Sequence, residues 1–396
     1  MNAPGHGSAV VLSFSRIARD RRVQRQCAAL AERGELQSVI GYADAGDEIN
    51  YPFESLRTPQ PTLAHRLSTL CRQMPAWLGA SAAEAGFWRA SRHRWALDCL
   101  NRAKPTRIVA NDWPALVVAA AYKRSNPGIR IHYDTHEFAT AEFDESLWWR
   151  IVYKPFVRYL EKAHIGAADA ISTVGAGLAE ALQQYHRLPQ RPVVIRNFPD
   201  LYPLDERPTA WPLRLLYHGL ILPSRGLEAL INSMPLWRSP HHLTIRGDGD
   251  PDYIKKLQAL AAKFADGARL TFEPAVAPDQ VIPLAARSAD LGVFVTPLHT
   301  PQQYFSMPNK LFEYIGAGLA VIVSPGADLR AVVEQYGVGL VCADAGYEAV
   351  AAAINDLDPA TVNRFRAAAR MAAQTLCWKN ERAVFDALQD QLVRLP

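Results

Sequence analysis

The sequence predicts an α/β protein built from two Rossmann-like domains, each a parallel sheet covered by helices. Three observations lead to this fold class. First, 396 residues are too many for one typical core but suit two. Second, short apolar runs typical of buried strands alternate with segments of helical periodicity. Third, this alternation begins again after a proline-rich stretch at residues 199–212, the best candidate for the hinge between domains.

In the N-terminal half, apolar runs bounded by polar or turn residues predict the strands of the first sheet. These runs are residues 9–14, 37–43, 107–112, 130–138, 170–174 and 193–200. Ser15 and Arg16 follow the first run and are expected in a loop that leads into a helix. Arg16, Arg19 and Arg22 are interpreted as a solvated face at the start of that helix.

Residues 44–104 lack a clear strand pattern and contain proline-rich turns followed by a predicted helical region. In that region aromatic and basic residues interleave: Trp77, Trp88, Arg89, Arg92, Arg94 and Trp95. Such a pattern suits either a helix at a membrane interface or core aromatics packed beside arginine stems. A second apolar surface, formed by Trp148, Trp149, Ile151, Val152 and Phe156, is interpreted as core or interdomain packing.

Two predicted strands of the N-terminal half end in polar residues. Ligands of open α/β sheets bind at the carboxyl ends of strands, so the ends of 107–112 and 130–138 are expected to face a ligand. His136 lies at the second of these ends. A histidine there is either an ordinary loop residue or a functional one, and the residues alone leave both readings open.

The C-terminal half repeats the alternation. Residues 213–220 predict a strand, and a helix follows with its buried stripe at Leu227, Leu230, Ile231 and Met234. Arg225 and Gly226 therefore lie at a strand-to-helix turn, where glycine allows close approach and arginine can hold a diphosphate. Further strands are predicted at residues 242–250, 269–276 and 290–297, the first of which ends in a Gly-Asp-Gly turn.

The most informative stretch is residues 301–326, which predict a loop, a short helix and a buried strand. Pro308 suits the first helical position, and Lys310 and Glu313 share one face near the helix N-terminus. That end of a helix favours phosphate, to which Lys310 adds a full charge. Glu313 is suited to hold a ribose diol. The alternative is a core helix with a surface Lys–Glu pair.

The segment PNKLFEYIGAGLAVIVS at residues 308–324 resembles the nucleotide-sugar signature of glycosyltransferase family 4, retaining enzymes of the GT-B fold. The resemblance extends over nearly the whole chain. It implies two domains facing a central cleft, an acceptor-binding one at residues 1–200 and a donor-binding one at 201–378. It also implies that the final helix, at 379–396, crosses back to the first domain.

The resemblance also implies roles for particular residues. Arg225 and Lys310 would stabilise the leaving diphosphate, and His136 would lie beside the reacting sugar. The implied donor-binding set is Gly219, Arg225, Gly226, Gly247, Val276, Ser306, Met307, Pro308, Asn309, Lys310, Leu311 and Glu313. Ser15 and Arg16 lie where the family shapes its acceptor site.

Three positions depart from the family pattern. Leu220 stands where many relatives have an arginine after the strand glycine, and Phe305 stands where many have a glutamate near the donor sugar. The first loop, at Ser15 and Arg16, lacks the usual glycine pair. These departures put one phosphate contact, one acidic role and the acceptor geometry in doubt.

Charge and cysteine content indicate which partners and which cellular compartment to expect. The net charge is +4, with a balance of +6 over residues 1–200 and −2 over the remainder, which suits an anionic acceptor or a membrane surface better than nucleic acid. The five cysteines are scattered and no metal-ligand cluster is evident, so we expect a metal-independent protein of a reducing compartment. With no signal peptide and no apolar span predicted, a cytoplasmic location, peripheral to the inner membrane at most, is expected.

The sequence thus predicts a glycosyltransferase of polysaccharide or glycoconjugate biosynthesis. Its co-substrate would be a nucleotide-diphosphate sugar, with UDP or GDP as the expected nucleotide, and its acceptor a glycan, a lipid-linked or a small molecule. One alternative is a nucleotide-sugar epimerase of the same fold, against which the absence of a carboxylate at Phe305 weighs. A non-catalytic nucleotide-sugar-binding partner protein is the other.

Overall fold

The computed structural model describes residues 8–56, 73, 76–77, 79–264 and 269–395. The chain divides into two compact units, the first comprising Met1–Asn197 with Arg382–Pro396 and the second comprising Phe198–Glu381. Cys71 and the start of the chain, on which the expectations about thiols and a signal peptide partly rest, lie outside the described residues.

The described residues of the first unit contain a seven-stranded parallel sheet in the order β3-β2-β1-β4-β5-β6-β7. The strands are β1 (Ala9–Arg16), β2 (Leu36–Tyr42), β3 (Phe53–Ser55), β4 (Arg107–Asn111), β5 (Arg130–Asp134), β6 (Ala170–Thr173) and β7 (Val193–Val194). The direction of winding reverses between β1 and β4, so their carboxyl ends open a crevice.

Helices cover the faces of this sheet. They are α1 (Arg21–Glu32), α2 (Ala80–Trp88), α3 (Ser91–Ala103), α4 (Asp112–Ser125), α5 (Lys154–His164) and α6 (Ala176–His186), with a π-helical turn at Trp149–Tyr153 before α5. The Asp20 carboxylate accepts a hydrogen bond from the Val23 N–H at 3.1 Å and so caps α1. The core between sheet and helices is aliphatic, as a parallel sheet buried on both faces requires.

In the described residues of the second unit, six parallel strands follow the order β10-β9-β8-β11-β12-β13. The strands are β8 (Arg214–His218), β9 (His242–Arg246), β10 (Leu270–Glu273), β11 (Leu291–Phe294), β12 (Ala320–Val323) and β13 (Gly339–Val341). The helices are α7 (Leu227–Ser233), α8 (Pro251–Ala261), α9 (Val281–Ser288), α10 (Pro301–Tyr304), α11 (Asn309–Gly316), α12 (Ala327–Tyr336), α13 (Tyr347–Asn355), α14 (Pro359–Thr375) and α15 (Trp378–Arg394). The predicted pair of parallel α/β sheets is confirmed.

The final helix, α15, begins in the second unit and ends in the first. From Arg382 onward its residues belong to the first unit, where the Arg33 guanidinium donates to Asp390 at 2.6 Å and Gln389 Nε2 lies 2.9 Å from His132 Nδ1. Phe385 packs at 0% exposure beside the His132 ring. The predicted return of the last helix to the first unit is therefore observed.

One expectation about apolar packing was wrong. Trp149, Val152 and Phe156 are buried as expected, but Trp148 and Ile151 are 54% and 48% exposed. The reason is helical geometry, because neighbouring residues of a helix point in different directions and a single core can bury only one side.

The proline-rich stretch 199–212 lies in the second unit and is fastened to it. The Arg207 guanidinium donates to the fully buried Asp290 carboxylate at 2.5 Å, and Arg214 donates to the same group at 2.9 Å. Arg366 approaches the same carboxylate at 3.7 Å. The residues around Arg207 are therefore part of the second unit's packing rather than a free connection.

Because Asp290 compensates several partly buried cations, Asp290→Ala should destabilise the second unit by about 3 kcal/mol, the lower end of the range for breaking a buried ion pair. Faster hydrogen–deuterium exchange in β8 and β11 measures this loss. The matched control is Asp252→Ala, whose carboxylate is 84% exposed and pairs only with the exposed Lys255. Equal exchange rates in the two variants would contradict the structural role of Asp290.

Candidate functional site

The second unit has a switch point between β8 and β11, where the strand order reverses. In such sheets the loops beyond the carboxyl ends of the two central strands part and leave a crevice. Here the loop after β8 contains Gly219 and Arg225, and the loop after β11 leads to α11, which begins at Asn309 and contains Lys310. The residues predicted to contact the diphosphate therefore converge on one edge of one sheet.

Two glycines make this convergence possible. A Cβ on Gly226, at φ +69°, would lie 2.0 Å from the Val295 carbonyl oxygen, and a Cβ on Gly247, at φ +155°, would lie 1.8 Å from the Gly219 carbonyl oxygen. Because any side chain would push these loops apart, glycine sets the close packing of the turn that contains Arg225.

Lys310 lies in the first turn of α11, and its side chain crosses the β8 turn. A Cβ on Gly219 would lie 2.7 Å from Lys310 Nζ, which itself lies 5.5 Å from the ring centroids of Tyr217 and Phe294. Burial and the nearby Arg225 guanidinium, partly offset by Glu313, lower the pKa of Lys310 to about 8. The ammonium group is thus held in an environment that disfavours its own charge.

Arg225 closes the short 3₁₀ turn Pro223–Arg225, next to Gly226. Its Nε is buried without a hydrogen-bond partner among the described residues. No carboxylate in the described part of the chain forms an ion pair with Arg225 or Lys310; Glu313 lies beside His218 instead. Arg225 and Lys310 repel one another, as the lowered pKa of Lys310 shows. A polyanion placed between them would relieve this repulsion.

Glu313 follows Lys310 by three residues, on the same face of α11, as predicted. Its Oε2 lies 3.3 Å from Nε2 of His218, the last residue of β8. His218 is 4% exposed, and burial together with Lys310 and Arg246 lowers its pKa to about 3, so it is neutral at physiological pH. His218 was not predicted as a site residue, although it directly precedes Gly219 at the end of a predicted strand.

Other predicted donor-binding residues lie around the same edge. The Ala275 N–H donates to Asp248 at 3.4 Å, which joins the loop that contains Val276 to the turn at Gly247. The residues before α11 form a connection that contains Ser306, Met307 and Pro308. Leu311 is fully buried and packs in the core rather than lining a surface.

The expected position of Pro308 needs a small correction. It precedes the helix as its N-cap residue, with φ −72° and ψ 142°, and Asn309 is the first helical residue. The fixed φ of proline suits either position, but the observed ψ is extended rather than helical.

In the first unit, the corresponding edge is dominated by the buried carboxylate of Asp134 at the end of β5. Arg22 donates to both of its oxygens at 2.6 Å, Gln26 donates at 2.5 Å, and Ser172 donates as well. Burial alone would raise the pKa of Asp134, but Arg22 and His136 outweigh it and hold that pKa well below its usual range. Asp134 therefore remains ionised and orders the surrounding strand ends.

His136 lies between two carboxylates, with Nε2 3.3 Å from Asp134 and Nδ1 3.5 Å from Asp112. β5 ends at Asp134, so His136 stands in the loop and not in the strand predicted to run to residue 138. Burial lowers its pKa, but Asp112 and Asp134 outweigh burial and raise it to about 9. The imidazole is therefore a cation at neutral pH.

Two expectations for the start of the first unit were wrong. Ser15 and Arg16 end β1 instead of lying in a loop, with Arg16 3.4 Å from Asp44 at the surface. Arg22 is 6% exposed and buried against Asp134, so it does not belong to a solvated face. Its partner lies 112 residues away, which no local pattern could reveal.

Two further features of the described residues concern metal ions and membranes. Among the described residues, no group of three or more histidine, cysteine or acidic side chains is placed to hold a metal ion. Likewise, none of the helices within the described ranges is long and apolar enough to cross a membrane.

Two Rossmann-like units joined by a returning C-terminal helix define the GT-B architecture, and comparison with known proteins agrees. Residues 212–357 match the family model described as glycosyl transferases, group 1. No curated protein sequence matches the chain significantly.

Solved structures match nearly the full length of the chain. The HepE protein of Anabaena, crystallised with UDP and glucose, aligns over 98% of this chain and 100% of its own, with a TM-score of 0.72 and 16% identity. Sucrose-phosphate synthase from Thermosynechococcus elongatus aligns over 98% and 99%, with a TM-score of 0.75 and 16% identity. The lipopolysaccharide outer core galactosyltransferase WaaB aligns over 97% and 99%, with a TM-score of 0.69 and 12% identity. The predicted GT-B fold is confirmed, and the family match with this fold supports glycosyl transfer as the class of activity.

The His136 environment makes a direct prediction. NMR titration of its ring should give a midpoint at about 9, above the ordinary 6.5, because Asp112 and Asp134 stabilise the imidazolium. The stabilisation it contributes is fully present below pH 6.5 and is lost as the pH rises through about 9.

The control for this titration is Asp112→Asn, which removes one carboxylate and should lower the midpoint. A midpoint near 6.5 in the unmodified protein, or one insensitive to Asp112→Asn, would contradict the imidazolium assignment.

Proposed function

We propose that the chain is a retaining glycosyltransferase that moves a sugar from a nucleotide-diphosphate donor to a glycan, lipid-linked or small-molecule acceptor. The observation that carries this proposal is the pairing of Lys310 and Arg225 at the switch point of the second unit, without a carboxylate partner in the described part of the chain. Two cations held together in this way favour a diphosphate.

The same arrangement suits the chemistry of sugar transfer. The bond between the anomeric carbon and the diphosphate oxygen breaks, and negative charge accumulates on the leaving group. Lys310, Arg225 and the N–H groups at the start of α11 would stabilise that charge, and they need no reorganisation to do so. The proposed reaction is therefore metal-independent.

A new bond then forms between the anomeric carbon and the acceptor hydroxyl, whose proton passes to the leaving phosphate on the same face of the sugar. His136 fits a positioning role in this scheme, because an imidazolium cannot accept a proton. We propose that it orients the donor sugar. Ser15 and Arg16 would lie on the acceptor side.

Structural relatives support the choice of donor and acceptor classes. HepE has been crystallised with UDP and with UDP-glucose, which favours UDP as the nucleotide, with GDP as the other candidate. WaaB is a galactosyltransferase of the lipopolysaccharide outer core, which favours a glycan acceptor in bacterial polysaccharide or glycoconjugate synthesis. We propose that the first unit binds the acceptor and the second the donor, in the cytoplasm, with at most peripheral membrane contact.

The remaining donor-site residues follow from their position at the switch point. Gly219, Gly226 and Gly247 would let the phosphates approach the backbone. The other proposed contacts are Val276, Ser306, Met307, Pro308, Asn309, Leu311 and Glu313, with Leu311 contributing through its backbone because its side chain is buried. Calorimetric titration of UDP, GDP and ADP without metal tests the proposal, and binding of none of them would refute it.

Lys310→Ala should lower turnover by about 100-fold, because one preorganised charge contact to the leaving group is lost. The matched control is Lys255→Ala, which removes a 74% exposed lysine on α8 and should leave turnover unchanged. Equal turnover in the two variants would remove Lys310 from the mechanism.

The lowered pKa of Lys310 adds a pH dependence. Diphosphate binding favours the charged ammonium, so affinity for the nucleoside diphosphate should fall as the pH rises through about 8. Calorimetry near pH 8 in buffers of different ionisation enthalpy should detect proton uptake on binding. Lys310→Ala should abolish that uptake.

Glu313→Ala should weaken binding of the nucleoside diphosphate by about 10-fold, the effect of losing a hydrogen bond to a charged group. The conservative variant Glu313→Gln keeps an acceptor oxygen and should lose less affinity. Unchanged affinity in both variants would contradict the ribose assignment.

A further inference from the structure

His218 is fixed at the end of β8 by a neighbour on α11. Its backbone N–H donates to the Tyr314 hydroxyl at 3.1 Å, and its ring lies 4.7 Å from the Tyr314 ring. The side chain is 4% exposed. Its backbone and ring are therefore both held by Tyr314, which immediately follows Glu313 in the helix.

The Nε2 atom of this ring is buried without a hydrogen-bond partner among the described residues, and it lies 3.3 Å from Glu313 Oε2. Burial, together with the positive charges of Lys310 and Arg246, disfavours protonation of the ring, so the imidazole is neutral and carries a single N–H. With that proton on Nε2, a rotation of the ring or of the Glu313 carboxylate brings this unsatisfied donor into hydrogen-bond geometry with Oε2. Nδ1 would then be the acceptor nitrogen.

We propose that His218 is a positioning residue for the donor site, which holds one oxygen of Glu313 so that the other accepts from the ribose hydroxyls. The inference rests on the proposed nucleotide-sugar site and deepens it. A carboxylate at the end of a glutamate side chain has several rotamers, and fixing one of them lowers the entropic cost of gripping a diol.

The test compares UDP with 2′,3′-dideoxy-UDP by calorimetry, using the full chain. His218→Phe removes the N–H and keeps a ring to pack on Tyr314. This variant should bind UDP about 5–10-fold more weakly and bind the dideoxy form as the unmodified protein does. His218→Gln retains a donor at a similar reach. It should keep at least half of the preference for UDP over the dideoxy form that His218→Phe loses.

His218→Leu also lacks the N–H and gives the same comparison if His218→Phe does not fold. A second arm combines His218→Phe with Glu313→Ala. Because His218 acts through Glu313, the double variant should discriminate between the two nucleotides as poorly as Glu313→Ala alone and no worse.

The outcomes separate this inference from the proposed function. If the unmodified protein prefers UDP over the dideoxy form and the His218 variants keep that preference, His218 does not position Glu313, while the donor site stands. An equal loss of affinity for both nucleotides would show a merely structural role and also overturn the inference. If the unmodified protein binds neither nucleotide, nor GDP or ADP, the donor site itself is refuted.

Discussion

The structure depends most on one electrostatic constraint, the placement of two cations side by side at the switch point of the second sheet. Lys310 lies on α11 and Arg225 in the turn after β8, and Gly226 lets that turn pack against the Val295 backbone just beyond β11. Burial and the nearby Arg225 guanidinium both disfavour the charge of Lys310. A protein retains such an arrangement where an anionic ligand compensates it, which is the physical basis for assigning a diphosphate to this edge.

The first unit offers an informative contrast. Its buried carboxylate, Asp134, is matched within the unit by Arg22, Gln26 and Ser172, so its charge needs no ligand. His136 is likewise compensated by two carboxylates. The charges of Asp134 and His136 are thus matched within the first unit, whereas the positive charge of Lys310 in the second is offset only in part, by Glu313. The difference favours the second unit as the site of the anionic donor.

The sequence predicted what depends on local spacing and missed what depends on distant partners. Lys310 and Glu313 were correctly placed on one helix because a three-residue separation puts them on one helix face, and Arg225 was correctly placed in the turn after β8. Arg22 was misjudged because its meaning comes from Asp134, 112 residues later. His218 was missed because only the folded sheet brings it beside Glu313. The alternation of strands and helices was enough to predict the fold. It was not enough to predict that Trp148 would be exposed to solvent.

The neutral state of His218 also affects the balance of charge around Glu313, Lys310 and Arg225. A protonated His218 would add a third positive charge and tie Glu313 into a full ion pair. Burial, Lys310 and Arg246 disfavour that protonation, and Glu313 separately offsets in part the lowered pKa of Lys310. In the proposed site, the positive charge of Lys310 and Arg225 would bind the diphosphate, and the Glu313 carboxylate would bind the ribose. Two oppositely charged recognition elements can therefore stand one helical turn apart, each matched to a different part of one nucleotide.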